Sequence, residues 1–178
     1  MAAAGVVAFR NPAPLARNSD RRDFALTDTN GAKVTLATFQ GKWALLFFGY
    51  TNCPDICPTT LLNVSNTLDA MGDAAGQLQP VFITVDPERD TAPVLKAYLA
   101  NFGGHFVGLT GTPAQIAAAA SAYQTFYRKV PIEGGYMMEH SSGLALISPR
   151  GTYVRTFRPD DEPKDFAVEL RATMKGEQ

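Results

Sequence analysis

Apolar residues in this chain come in short blocks whose lengths and periods predict a mixed sheet. Residues 43–48 (WALLFF) and 79–85 (QPVFITV) are continuous apolar runs of strand length, which is typical of central strands covered on both faces. Shorter runs at residues 24–28 and 33–36 flank Asn30-Gly31, a dipeptide that strongly predicts a tight hairpin turn. The first part of the sheet is therefore predicted to be a hairpin followed by buried strands.

Four further segments show the apolar spacing of amphipathic helices. They are residues 58–71, 90–102, 112–127 and 162–174, and the last three begin with a capping residue or an early proline. The spacing of Tyr123, Phe126 and Tyr127 predicts that these rings lie in the core. Between the helices we expect a short strand at residues 106–109, a loop at 129–135, and a hairpin formed by 137–147 and 152–157.

The order of these elements favours an α/β architecture. Two strand-helix-strand units followed by a hairpin and a helix match a thioredoxin-like fold with an added N-terminal β-hairpin and an inserted strand-helix segment. Residues 22–178 are expected to form this domain, and residues 1–21 an extended lead-in. Cys53 and Asp86 each follow a predicted central strand, where sites in open α/β sheets gather.

Composition and charge limit the classes of function. An apolar fraction of 46%, a charged fraction of 19% and a net charge of −1 are ordinary for a globular protein. They give no reason to expect nucleic acid as a partner. Two cysteines are too few for a disulfide scaffold, so they are candidates for chemistry instead.

The two cysteines, Cys53 and Cys57, are separated by three residues. Pro58 disfavours helical geometry at Cys57, so both thiols are expected in the loop that leads into a helix N-terminus. The positive end of the helix favours thiolate, which both attacks disulfides and binds metal. Thioredoxin-type enzymes use two intervening residues, and a longer loop lets the sulfurs separate around an ion. Disulfide chemistry, metal binding, or both in turn remain open.

His140 is the candidate third ligand. Two thiolates and one imidazole form a soft, low-coordinate set that suits copper(I). In a strand, a period of two places Met138 and His140 on one face, where the Met138 thioether is either core or a weak extra donor. His105 lies in a glycine-rich loop and is expected to be a surface residue.

Four motifs occur in an order that a known family shares. They are GYTNCPDICP at residues 49–58, TVDPERDT at 84–91, VGLTGT at 107–112 and EHS at 139–141. In these motifs the chain resembles the Sco/SenC family of copper-binding proteins involved in cytochrome c oxidase assembly. The resemblance extends from about residue 24 to the C-terminus.

The resemblance implies a thioredoxin-like fold and a specific ligand set. The family's two motif cysteines and distal histidine fall on Cys53, Cys57 and His140, which would hold copper(I), with copper(II) also compatible. The family's aspartate falls on Asp86, which is expected to shape the copper loop or contact the acceptor. Asp55, between the cysteines, is expected to be exposed and to offer a docking contact. The implied partners are a copper-accepting oxidase subunit and a copper donor protein.

The family also implies a location. Its members are usually tethered by one transmembrane helix and face the periplasm or the mitochondrial intermembrane space. No run in this sequence is long and apolar enough to be that helix. We therefore expect a periplasm-facing protein, with the intermembrane space as the alternative. Residues 1–21 would be the remnant of a linker to an anchor that this sequence does not contain.

Three functions compete on these grounds. The first is a copper metallochaperone that uses all three ligands. The second is a thiol–disulfide oxidoreductase that keeps the acceptor's cysteines reduced, which needs Cys53 and Cys57 but not His140. The third is a peroxiredoxin-like peroxidase, which ranks last because Tyr50 stands where a threonine is wanted.

Overall fold

The computed structural model describes residues 22–158 and 160–177, so the predicted lead-in at residues 1–21 lies outside the described residues. The described residues form nine strands and four α-helices. The strands are β1 (Ala25–Asp28), β2 (Lys33–Thr35), β3 (Trp43–Gly49), β4 (Leu78–Thr84), β5 (Val107–Thr110), β6 (Tyr127–Ile132), β7 (Gly135–His140), β8 (Leu144–Ile147) and β9 (Tyr153–Phe157). The helices are α1 (Ile56–Met71), α2 (Ala92–Leu99), α3 (Pro113–Ala122) and α4 (Pro163–Gly176).

Seven of these strands form one mixed sheet in the order β2-β1-β5-β4-β3-β8-β9. Strands β3, β4 and β5 are parallel, while β8 and β9 complete one side in antiparallel fashion. Every residue of β3 is buried, as the apolar run predicts for a central strand. The thioredoxin-like fold is confirmed, with β1–β2 as the added hairpin and β5 as the inserted strand between β4 and β1.

The ends of β3 and β4 bring the two predicted site segments together. The strands run parallel, and the Val85 N–H donates a hydrogen bond of 2.8 Å to the Gly49 carbonyl just beyond their paired residues. The cysteine loop that follows β3 therefore lies beside the turn that follows β4. Helix α1 leaves this loop and packs against α4. In the part of the chain that the structure describes, no helix combines the length and apolarity that a bilayer crossing requires.

The prediction for residues 112–135 was wrong. Helix α3 ends at Ala122 rather than near Tyr127, because Gln124 adopts a positive φ of 54° and the chain reverses. The predicted loop at residues 129–135 is instead strand β6, which pairs with β7 across a two-residue turn as a separate two-stranded ribbon. Strand β6 has no buried residue, so its sequence lacks the alternating pattern by which a strand is recognised.

Because of this ribbon, two further predictions, the burial of Phe126 and Tyr127 and the continuous strand at residues 137–147, differ from the structure. Tyr123 is buried as expected, but Phe126 is 56% exposed and Tyr127 only partly buried, because they follow the end of α3. The predicted strand at residues 137–147 is divided at residues 141–143 into β7 and β8. His140 is therefore the last residue of the ribbon and does not belong to the central sheet.

Candidate metal centre

Both thiols lie where β3 leads into α1. Helix α1 begins at Ile56, two residues earlier than predicted, so Cys57 lies in its first turn. The Cys57 side chain is fully buried, and Cys53 in the preceding loop is partly buried. The Cys57 backbone N–H donates a hydrogen bond of 3.4 Å to the Cys53 sulfur. The helix N-terminus thus contacts Cys53 directly, as expected for a site that stabilises thiolate.

Gly49, the last residue of β3, makes room for the buried thiol. A Cβ atom at this position would lie 2.9 Å from the Cys57 sulfur and 2.9 Å from the Phe82 ring, both closer than van der Waals contact allows. Because Phe82 is fully buried, its ring cannot move away freely. The absence of a side chain at Gly49 therefore sets the position of the Cys57 sulfur.

The two thiols have opposite pKa shifts. A hydrogen bond from the Cys57 thiol stabilises the Cys53 thiolate and lowers the pKa of Cys53, while partial burial opposes the shift. The same hydrogen bond to Cys53, together with burial, raises the pKa of Cys57. Cys53 is consequently the thiolate of the pair, and Cys57 holds the proton that a metal ion must displace.

His140 presents its Nε2 atom to the thiols. Its Nδ1–H donates a hydrogen bond of 2.8 Å to the Ser141 carbonyl, which leaves the Nε2 lone pair free to accept or to ligate. Nε2 lies 3.4 Å from the Cys57 sulfur. The imidazole packs edge-on against Tyr50 and Phe47, with ring centroids 5.7 and 6.2 Å apart. The tautomer and the ring orientation are therefore those that a metal ligand needs.

The three predicted ligands converge. One sulfur from each of Cys53 and Cys57 and one nitrogen of His140 lie within 4.8 Å of one another, the only such cluster in the part of the chain that the structure describes. An ion bonded at about 2.0–2.3 Å to three such atoms would place them roughly 4 Å apart. The residues fit a three-coordinate soft metal ion after a small adjustment, in which the Cys57 sulfur and His140 Nε2, now 3.4 Å apart, separate slightly.

Asp86 lies near the site but does not bond to the cysteine loop. Its side chain is 2% exposed, accepts a hydrogen bond of 2.8 Å from the Tyr136 hydroxyl and forms an ion pair with Arg89. Burial leaves it little surface to offer an acceptor protein. The structure thus directs Asp86 toward β7, the strand that carries His140.

Asp90 is the residue whose place in the site the sequence did not reveal. The segment from residue 90 was expected to open a helix with a capping residue; the N-cap of α2 is Thr91, and Asp90 is 0% exposed. Its carboxylate accepts hydrogen bonds from the Thr51 hydroxyl at 2.6 Å and the Thr51 N–H at 3.0 Å. An aspartate near the start of a predicted helix is an ordinary capping signal, so its sequence position does not distinguish a helix cap from a buried hydrogen-bond acceptor.

The remaining candidates are placed as expected. Asp55 is exposed, immediately before α1, and makes no side-chain capping hydrogen bond. Met138 is 5% exposed and belongs to the hydrophobic core. His105 is exposed and is not part of the cluster of ligand atoms.

The fold and the site together define a thioredoxin-like protein with a soft-metal centre of two thiols and one imidazole. The family model described as SCO1/SenC matches residues 13–175. The chain belongs to the SCO1/SenC family.

Individual relatives agree with this assignment. The "SCO2-like protein" of Rickettsia felis is 40% identical over 152 residues, covering 84% of this chain and 74% of the relative. The copper-bound structure of ScoI from Bradyrhizobium japonicum is 43% identical with a TM-score of 0.78, covering 85% of this chain and 97% of that one. The copper-bound ScoI of Arabidopsis thaliana is 32% identical with a TM-score of 0.83, covering 88% and 99%.

Proposed function

We propose that this protein is a copper metallochaperone that supports assembly of the copper centre of cytochrome c oxidase. It binds one copper ion through Cys53, Cys57 and His140. The single observation that carries this proposal is the convergence of the two sulfurs and the imidazole nitrogen within 4.8 Å. Two similar proteins have copper-bound structures, and the soft donor set favours copper(I), with copper(II) also compatible. The role in oxidase assembly rests on family membership.

The position of His140 favours metal binding over the oxidoreductase alternative. A dithiol reductant needs only Cys53 and Cys57, and its reaction does not require a histidine ligand. In the structure His140 Nε2 lies 3.4 Å from the Cys57 sulfur, with its other nitrogen held by the Ser141 carbonyl. Copper loads only onto the dithiol, so reversible oxidation of the cysteines would gate loading without being the main activity.

The first test is an anaerobic copper(I) titration of the reduced protein against a competing chelator. The wild type should bind one ion. His140→Ala should weaken binding about thirtyfold, or about 2 kcal/mol, because the two thiolates remain while the third ligand is lost. The matched control is His105→Ala, an exposed histidine outside the cluster, which should bind as the wild type does. Equal affinities for all three proteins would contradict the three-ligand proposal.

The surface around the site suits transfer to a partner protein. An open cleft of about 510 Å³ lies beside Cys53 and His140, and its lining includes Ile56 (45% exposed) and Phe126 (56% exposed). Asp55 lines the same cleft with an exposed carboxylate. We propose that copper passes to an oxidase subunit, and arrives from a donor protein, across this face, with Asp55 as a docking contact.

Asp55→Asn tests the docking role. The variant should bind copper(I) as tightly as the wild type, because Asp55 is not a ligand. It should pass copper several-fold more slowly to a dithiol acceptor peptide flanked by lysines, since charge complementarity mainly sets the association rate. The same peptide with glutamates in place of the lysines is the control and should show no difference between the two proteins. Equal transfer rates to the lysine peptide would remove Asp55 from the docking surface.

We also propose that the site faces an extracytoplasmic compartment, the periplasm or the mitochondrial intermembrane space. Some relatives carry the description "mitochondrial", such as the human SCO2 homologue, which is 38% identical over 156 residues. A tether to the membrane would lie outside the described residues.

A further inference from the structure

One short turn contacts both halves of the ligand set. It comprises residues 84–90, runs from the end of β4 toward α2, and is called here the bracket turn. On one side it bonds to the cysteine loop, and on the other to the β6–β7 ribbon that ends in His140. Neither the loop nor the ribbon belongs to the central sheet, so each needs bonds from elsewhere to hold its position.

The side-chain hydrogen bonds that the bracket turn makes to the cysteine loop are accepted by Asp90, whereas Arg89 approaches the loop only through a guanidinium 5.8 Å from the centre of the Tyr50 ring. One carboxylate oxygen accepts from the Thr51 hydroxyl at 2.6 Å, and the other accepts from the Thr51 N–H at 3.0 Å and the Thr84 hydroxyl at 2.6 Å. Asp90 is fully buried, so these hydrogen bonds are shielded from water. Thr51 is two residues before Cys53, whose N–H bonds back to the Tyr50 carbonyl at 3.3 Å. Asp90 therefore fixes the start of the turn that presents Cys53.

The bonds to the ribbon involve Asp86, Arg89 and Tyr136. The Tyr136 hydroxyl donates to Asp86 at 2.8 Å, and Arg89 Nη1 donates to the Tyr136 carbonyl at 2.9 Å. The guanidinium, paired with Asp86, also lies 3.7 Å above the centre of the Tyr136 ring. A second link, between Lys129 and Glu88, is exposed on both sides and contributes little.

We propose that the bracket turn positions the two halves of the copper site separately. Asp90, through Thr51, sets the cysteine loop, whereas Asp86 and Arg89, through Tyr136, set the ribbon and hence His140. A two-stranded ribbon is marginally stable by itself, so the position of a ligand at its end depends on such tertiary bonds. These residues are positioning residues, because none of them is a ligand. The effect on copper rests on the proposed function, whereas the effect of Asp90 on the thiols does not.

Two substitutions separate the bonds to the cysteine loop from the bonds to the ribbon. Tyr136→Phe removes only the hydroxyl that bonds to Asp86, and Thr51→Val removes only the hydroxyl that bonds to Asp90. Tyr153→Phe and Thr173→Val are the matched controls, because each removes the same kind of hydroxyl away from the copper site. The Tyr153 hydroxyl lies 3.0 Å from the Thr156 hydroxyl on β9, and the Thr173 hydroxyl donates to the Glu169 carbonyl on α4. Thermal unfolding of each variant establishes that the fold is intact before copper is measured.

Copper(I) affinity is then measured with and without His140. Tyr136→Phe should weaken binding about tenfold in the wild-type background but less than about twofold in a His140→Ala background, because it acts only through that ligand. Thr51→Val should weaken binding by about the same factor in both backgrounds. Thr51→Val should also shift the dithiol–disulfide exchange constant with glutathione about fivefold, while Tyr136→Phe leaves it within about twofold. Both controls should match their parent proteins.

Three results would overturn the inference. Tyr136→Phe could weaken copper binding equally in both backgrounds, Thr51→Val could leave both copper affinity and thiol exchange unchanged, or both variants could shift thiol exchange alike. A failure of the proposed function looks different, because copper binding would then be absent, or would not depend on His140, before either substitution is made.

Discussion

A Cys57→Ala variant should lose copper(I) affinity by at least about ten-thousandfold, equivalent to about 5.5 kcal/mol. Cys57 supplies one of two thiolates and its sulfur lies 3.4 Å from His140 Nε2, so its loss leaves only one thiolate and one imidazole for the ion. The substitution removes one buried sulfur atom, and the unfolding free energy should fall by only about 1 kcal/mol. Competitive titration measures the first effect and chemical denaturation the second.

The same variant should change the pH dependence of Cys53. In the wild type, the hydrogen bond from Cys57 lowers the pKa of Cys53, so Cys53 remains a thiolate at pH values below the ordinary pKa of a thiol. Without that donor the pKa of Cys53 rises, and the reaction of Cys53 with iodoacetamide at about pH 6 should slow. Cys53→Ala is the converse control, because the buried Cys57 should stay unreactive at that pH. Identical alkylation profiles for Cys53 in wild type and variant would contradict the hydrogen-bond assignment.

The central sheet and the place of the cysteine pair beside it were predictable from sequence for a physical reason. Strands β3 and β4 are buried on both faces, so their residues are almost all apolar and the strands are visible as unbroken runs. The cysteines follow β3 directly, and parallel strands bring the two loops at their carboxyl ends together. His140 has the weakest sequence signal of the three candidate ligands, because no local spacing links a histidine to a cysteine 83 residues away; donor chemistry made it a candidate, and the resemblance to a family then assigned it.

The ribbon could not be predicted in the same way. Strands are recognised by burial, and β6 has no buried residue, so nothing in its sequence marks it as the strand that pairs with β7. The roles of Asp86 and Asp90 were hidden for a related reason. Both are acids in one turn, four residues apart, and only the folded backbone decides that one faces Tyr136 and the other Thr51.

Gly49→Ala should weaken copper binding although it replaces none of the three proposed ligands. The new Cβ would lie 2.9 Å from both the Cys57 sulfur and the Phe82 ring, and 3.1 Å from the Phe47 ring. Phe47 and Phe82 are core residues, so the shorter Cys57 side chain and the first turn of α1 should give way. Overpacking of this kind costs about 1–3 kcal/mol of the unfolding free energy. The displaced sulfur should lower copper(I) affinity about a hundredfold, or about 2.7 kcal/mol.

Gly76→Ala is the matched control for this substitution. A Cβ at Gly76 would meet no atom within 4 Å, so the unfolding free energy of this variant should lie within about 1 kcal/mol of the wild-type value. Its copper(I) affinity should equal that of the wild type. The comparison separates the close approach at Gly49 from the general effect of replacing a glycine. If Gly49→Ala binds copper as tightly as Gly76→Ala, the end of β3 does not set the position of Cys57. The geometry of the site would then depend only on the loop and on the bracket turn.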